Sequence, residues 1–157
     1  MSMYERILVA SDLTEGSAPA IRAALDLARR TGASIIALHV TSPPYGPKRL
    51  WAPLGGEESR VIESVAARER EAAARVLEDQ MRALCHKADV RPELDIKVLA
   101  GIAPDVICET AKSEHAGLIV MGTHGRTGLR HFLLGSTAER VVRAASCPVL
   151  TVRATDH

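Results

Sequence analysis

Residues 117–143 read G-L-I-V-M-G-T-H-G-R-T-G-L-R-H-F-L-L-G-S-T-A-E-R-V-V-R. The opening run, Gly117 to Met121, is short and continuously apolar, the pattern of a strand buried on both faces. From Ser136 onward, Ser-Thr-Ala-Glu-Arg-Val-Val-Arg reads as the first turns of a helix. Between these runs, Gly122 and Gly125 are separated by two residues, and Gly135-Ser136 follow after nine more. A strand, a glycine-spaced loop and a Ser/Thr-rich helix start make an anion site. Glycines let the backbone approach a phosphate closely, and a helix N-terminus supplies free N–H groups and the positive end of a dipole.

The same alternation recurs along the rest of the chain. Arg6 to Ala10 is an apolar run ending at the turn signal Ser11-Asp12. From Ser17 to Arg30, Ile21, Leu25 and Ala28 recur at helical spacing, with Gly32 as the stop. Ser34 to Val40 is a second strand, again apolar throughout. Thr41 to Gly56 holds Pro43, Pro44, Pro47 and Pro53 with Gly46, Gly55 and Gly56, and reads as a loop. A long charged helix is expected from Glu58 to Lys87, with Val65, Ala73, Val76, Leu77, Met81 and Leu84 as its inner face. Its Arg68-Glu69-Arg70-Glu71 alternation reads as a solvated face carrying i,i+4 pairs.

Leu94 to Leu99 alternates and is expected to be a more exposed third strand. Gly101-Ile-Ala-Pro104 starts a third helix that closes near His115-Ala-Gly117. Leu118 to Met121 is the fourth strand, Ser136 to about Ala145 the fourth helix, and Pro148 to Val152 the fifth strand. Five β-runs separated by helices predict a single-domain α/β fold with a parallel sheet and right-handed crossovers.

Composition narrows the function classes. The chain has 157 residues, 46% hydrophobic and 25% charged, as expected of one soluble globular domain. Only 3% are aromatic, so the core must be aliphatic. A net charge of +1 gives no electrostatic reason to expect nucleic acid or an anionic membrane as partner. No apolar run approaches the ~20 residues of a membrane span. The first residues carry no signal-peptide core, so cytoplasmic residence is the expectation. Cys85, Cys108 and Cys147 form no Cys-x-x-Cys pair and are expected to be reduced, mostly buried thiols.

In open α/β sheets, ligands bind beyond the carboxyl ends of the strands, where strand order reverses. Ala10-Ser11-Asp12, Val40-Thr41 and the segment from Gly122 would all emerge there. An ionised Asp12 only accepts hydrogen bonds, which suits ribose hydroxyls or an indirect contact to a divalent cation; it could equally cap the turn before the first helix. Val40 offers backbone groups and an apolar wall to a purine ring. His124, Arg126, Arg130 and His131 give the loop a positive bias suited to polyphosphate, and Ser136 and Thr137 can donate to phosphate oxygens. His39, inside an apolar strand, reads as a hydrogen-bonded core histidine. His124 and His131 lack a metal-site spacing and read as solvated loop residues.

With these residues in view, the chain resembles the universal stress protein family. Gly122, Gly125, Gly135 and Ser136 match that family's ATP-binding pattern, Gly-x2-Gly-x9-Gly-Ser/Thr. Ile7-Leu-Val-Ala-Ser-Asp12 resembles its first strand and aspartate, Leu38-His-Val40 the end of its second strand, and Cys147-Pro-Val-Leu-Thr-Val152 its last strand. The resemblance implies a Rossmann-like three-layer sandwich with a five-stranded parallel sheet of order 3-2-1-4-5. It also implies a site for ATP or another adenine nucleotide. Asp12 would meet the ribose beside Ser11, and Ala10 and Val40 would flank adenine. Met121 and Gly122 would lie along the nucleoside. Thr123, Gly125, Gly135, Ser136 and Thr137 would hold the phosphates, with His124 and Arg126 in the same loop. Many relatives have proline where this chain has Ala10, which loosens one adenine-side contact. Family members of this kind usually pair as homodimers through the last strand, here Val149 to Val152; an apolar edge strand otherwise exposes unpaired backbone.

The implied role is nucleotide-dependent sensing or signalling in a stress response. A slow ATPase or nucleotidyl-transferring enzyme is the alternative, and a non-nucleotide interaction module is a third reading. Efficient catalysis is disfavoured, because the chain lacks the Gly-x-x-x-x-Gly-Lys-Ser/Thr loop and has no Ser-Gly-Gly-x-Asp-Ser after its first strand.

Overall fold

The computed structural model describes residues 4–43, 56–123 and 134–154. Its elements run β1 (Arg6–Ala10), α1 (Ala18–Thr31), β2 (Ser34–Thr41), α2 (Glu57–Ala88), β3 (Leu94–Ala100), α3 (Ala103–Ser113), β4 (Leu118–Gly122), α4 (Ser136–Ala144) and β5 (Val149–Val152). A short 3-10 turn, Glu15–Ser17, precedes α1. The sheet is parallel throughout, in the order β3-β2-β1-β4-β5. This is the α/β architecture expected from the sequence.

The apolar runs of β1, β2 and β4 are continuous because both faces of the sheet are covered. Successive side chains alternate between two clusters. Ile7, Val9, Ile35, Ala37, Leu118 and Val120 pack against α1 and α2 through Ile21, Leu25, Leu77 and Met81. Leu8, Ile36, Leu38, Ile119 and Met121 pack against α3 and α4 through Ile107, Ala111, Ala138 and Val141. The layers are therefore α1/α2, sheet and α3/α4. β3 and β5 form the edges and are only partly buried.

Local stops explain where the elements end. Gly32 closes α1 in the left-handed region, φ +74°, with its N–H on the Ala28 carbonyl at 2.8 Å. The third helix stops at Ser113, two residues before the expected closure near His115-Ala-Gly117, and His115 takes the left-handed region, φ +53°.

One expectation about α2 is corrected. Leu77 and Met81 are fully buried, but Val65 and Val76 are each 49% exposed, and Ala66 faces inward instead. The three cysteines are also less enclosed than expected: each is half-buried, and desolvation pushes all three thiols above their ordinary pKa. Among the described residues, no helix is long and apolar enough to cross a membrane.

Candidate functional site

Strand order reverses between β1 and β4, and a cavity of about 520 Å³ opens at the carboxyl ends of β1, β2 and β4. Its floor follows from the pleat. Ala10, Val40 and Met121 all fall on the α3/α4 face, against the cluster containing Leu38 and Ile107. These residues give one side of the cavity an apolar wall of the kind a planar ring packs on.

The opposite rim is the turn from Ser11 to Ser17, which is bonded largely to itself. Asp12 Oδ1 accepts from Thr14 N (2.9 Å), Thr14 Oγ1 (2.6 Å) and Ser17 Oγ (2.6 Å). Ser17 Oγ in turn accepts from Asp12 N at 2.9 Å. Asp12 thus caps the turn and lines the cavity at once, so the two sequence readings of this residue are compatible.

Ser11 lines the same rim and is held by protein partners. It is 6% exposed, and its N–H donates to the Leu38 carbonyl at 2.9 Å. Its hydroxyl donates to Gln80 Oε1 at 2.7 Å and accepts from Leu13 N at 3.0 Å. Its carbonyl lies 2.8 Å from His39 Nδ1, which must carry the proton because a carbonyl only accepts. His39 is accordingly the buried, hydrogen-bonded histidine that the apolar strand implied. Ser11 lines the cavity with every polar group already bonded to protein.

The third wall is the start of α4. Gly135 caps that helix without a side-chain bond, and its carbonyl accepts from Glu139 N at 2.9 Å. Among the described residues, no side chain caps the first N–H groups of α4, and Gly135, Ser136 and Thr137 line the cavity there. Gly135 has φ −59° and ψ 153°, a conformation open to any residue. Glycine's backbone freedom is not needed at this position.

Thr123, buried at the end of β4, ties this wall down. Its N–H donates to the Val152 carbonyl at 3.1 Å, and its own carbonyl accepts from Gly135 N at 2.7 Å. Gly122 lines the cavity beside it. His124, Gly125 and Arg126 lie outside the described residues. Among the described residues lining the cavity, Asp12 is the sole acid and there is no Lys or Arg. Among the described residues, no group of three or more His, Cys, Asp or Glu side chains could hold a metal ion.

The site thus joins an apolar slot, a carboxylate and an uncapped helix N-terminus at one switch point. The sequence profile described as the universal stress protein family matches residues 3–153, nearly the whole chain. The chain belongs to the universal stress protein family. A universal stress protein of Methanocaldococcus jannaschii is 32% identical over 154 residues, covering 97% of this chain and 84% of the relative. The solved universal stress protein of Lactobacillus plantarum shares the fold with a TM-score of 0.76 at 25% identity, covering 98% of this chain and all of that one. Two further universal stress proteins share the fold at lower identity. One, solved in complex with cAMP, has a TM-score of 0.69 at 21% identity and covers 98% of this chain and 100% of that one. The other, from Archaeoglobus fulgidus in complex with dAMP, has a TM-score of 0.55 at 23% identity and covers 96% and 98%.

In this universal stress protein, the residues marked by the sequence as ligand contacts converge wherever they are described: Ala10, Ser11, Asp12, Val40, Met121, Gly122, Thr123, Gly135, Ser136 and Thr137. Sequence reasoning missed Gln80. A glutamine next to Met81 on a charged helix gives no local signal of a partner 69 residues away.

Proposed function

We propose that this universal stress protein acts as a single domain that binds ATP or another adenine nucleotide and reports its occupancy as a homodimer in the cytoplasm. The observation that carries this reading is the three-walled cavity, with Asp12 on one rim, the α4 N-terminus on another, and Ala10, Val40 and Met121 between them. Its volume of about 520 Å³ falls in the range of small-molecule sites, about 300–1,000 Å³. Adenine takes the apolar slot, the ribose hydroxyls donate to Asp12, and the phosphates take the first N–H groups of α4. The cAMP and dAMP complexes of relatives support an adenine ligand.

A magnesium ion fits this arrangement only by way of the phosphates. Asp12 Oδ1 already accepts three protein hydrogen bonds, so Asp12 would reach the ion through water. β5 offers the dimer contact: it is an edge strand of four residues with Leu150 38% exposed. Sedimentation of the wild type and of Leu150→Lys should show a dimer and a monomer.

The test of ligand binding is thermal unfolding with and without millimolar Mg-ATP, together with a mass spectrum of whatever the purified protein releases. Ligand at a hundred times its Kd adds about 2.7 kcal/mol, or roughly 5–10 °C for a chain of this length. Gly135→Asp, which sets a carboxylate at the phosphate position, should remove that shift and keep the dimer. No shift in the wild type and no co-purified nucleotide would refute the reading.

A further inference from the structure

Gln80 takes no part in the cavity wall, yet both ends of its amide bond the turn that carries Asp12. Ser11 Oγ donates to Gln80 Oε1 at 2.7 Å, and Gln80 Nε2 donates to the Thr14 carbonyl at 3.0 Å. These two contacts bracket Asp12 on either side in the chain. Between them sits Leu13 with φ +66°, the left-handed region that a leucine enters at a cost of about 1–2 kcal/mol. Such a conformation persists only where its surroundings over-determine it. Here Ser11 is fixed from beneath by Leu38 and His39, and Thr14 is fixed from above by α2. The turn of α2 that holds Gln80 is itself immobilised by Leu77 and Met81, both 0% exposed.

A glutamine that merely covered the surface would need one contact at most. Two bonds, one accepted and one donated, on opposite sides of a strained residue next to the candidate ligand carboxylate make a brace. We infer that Gln80 is a positioning residue for the ligand site, holding the Leu13 kink and so the direction of the Asp12 carboxylate. This inference rests on the adenine-nucleotide reading. It deepens that reading by joining the cavity to α2. By linkage, a ligand hydroxyl bonded to Asp12 then stabilises the Gln80 contacts, and the middle of α2 gains protection when the site fills.

The test separates the nucleoside half of the site from its phosphate half. Three ligands are titrated calorimetrically: AMP, 2′,3′-dideoxy-AMP and inorganic tripolyphosphate. The proteins are the wild type, Gln80→Met, which keeps the length and loses both bonds, and Gln80→Glu, which keeps the acceptor for Ser11 and loses the donor to Thr14. The wild type should prefer AMP over its dideoxy analogue by about ten- to a hundredfold, the worth of one hydrogen bond to an ionised group. In Gln80→Met that ratio should collapse toward one, with dideoxy-AMP and tripolyphosphate bound as before; Gln80→Glu should fall between.

A purely structural role would lower all three affinities together, or only the melting temperature, and would leave the ratio intact. An unchanged ratio in Gln80→Met, or a parallel loss across the three ligands, overturns the inference and leaves nucleotide binding standing. If Gln80→Met fails to fold, the ratio in Gln80→Glu decides in the same way. A wild type that binds both nucleotides without preference also refutes it. A wild type that binds neither sinks the nucleotide reading and this inference together.

Discussion

Substitution at Asp12 separates the two duties that the structure gives it. Asp12 Oδ1 accepts three hydrogen bonds that close the Ser11–Ser17 turn, and the same carboxylate faces the cavity. Asp12→Asn keeps an acceptor oxygen for all three donors and loses only the charge. Asp12→Ala removes the acceptor. A net hydrogen bond is worth about 1 kcal/mol, and somewhat more when the acceptor is ionised. Three bonds converging on one partly exposed oxygen then put Asp12→Ala at about 2–3 kcal/mol and Asp12→Asn at about 1 kcal/mol or less. With a urea m-value of about 2 kcal/mol/M, the midpoints should fall by roughly 1 M and by less than half of that.

Ligand binding should follow the charge and not the cap. Replacing an ionised acceptor of a ribose hydroxyl by a neutral amide costs about 1–2 kcal/mol, or about 5- to 30-fold in the Kd for AMP. Asp12→Asn should therefore be nearly as poor a binder as Asp12→Ala while being clearly more stable. Equilibrium urea unfolding and calorimetric titration on the same preparations provide both numbers. Equal destabilisation by the two variants would show that the Oδ1 network does not hold the turn. Undiminished AMP binding by Asp12→Asn would show that the charge does not meet the ligand.

Three other perturbations test the frame around the site. On α2, Leu77→Ala should cost about 3 kcal/mol in urea unfolding, from about three lost CH₂ equivalents plus a cavity. Its neighbour Val76→Ala should cost only a few tenths, because half-exposed methyls are traded for better helix propensity; a reversed order would refute the assigned helix phase. Gly101→Ala should destabilise by about 1–3 kcal/mol in thermal unfolding, since a Cβ there would lie 2.5 Å from Val106 Cγ2 on a backbone with φ +155°, and an unchanged melting temperature would contradict that packing. The Glu114 carboxyl is held below its ordinary pKa first by the hydrogen bond from Lys97 and then by Arg6. A depressed carboxylate stabilises above its unfolded pKa, near 4.3, and loses that contribution as pH falls. Glu114→Gln should therefore be less stable than wild type at pH 7, with the gap closing below about pH 4; a gap unchanged down to pH 3 would refute the assignment.

How far the sequence revealed this molecule depended on how local the deciding physics was. The inner strands were readable because a strand covered on both faces must be apolar at every position, as Ile7 to Val9 and Ile35 to Leu38 are. The phase of α2 was read partly wrongly, because valines lie on its exposed side at 65 and 76 while small Ala66 faces inward. Hydrophobicity ranks valine above alanine, so the ranking alone chose the wrong face there. At the site, Asp12 was legible as a turn cap because its partners, Thr14 and Ser17, are near in sequence; of the glycine pattern, Gly122 and Gly135 line the cavity and Gly125 lies outside the described residues. The bonding of Ser11 was not legible, because the partners of its hydroxyl and carbonyl, Gln80 and His39, come from elsewhere in the chain. Gln80 was invisible for the same reason.

The hydrogen bond from Gly135 N to the Thr123 carbonyl joins two residues that are twelve apart in the chain. Of the eleven residues between them, 124–133 lie outside the described residues, and Leu134 packs against the α3/α4 cluster. Closing such an excursion costs free energy that grows only with the logarithm of its length, about 0.6 kcal/mol per doubling. Segments of other lengths can therefore be grafted between Thr123 and Leu134 with little cost in closure entropy. The junction between the end of β4 and the start of α4 can stay as it is while the segment joining them is exchanged.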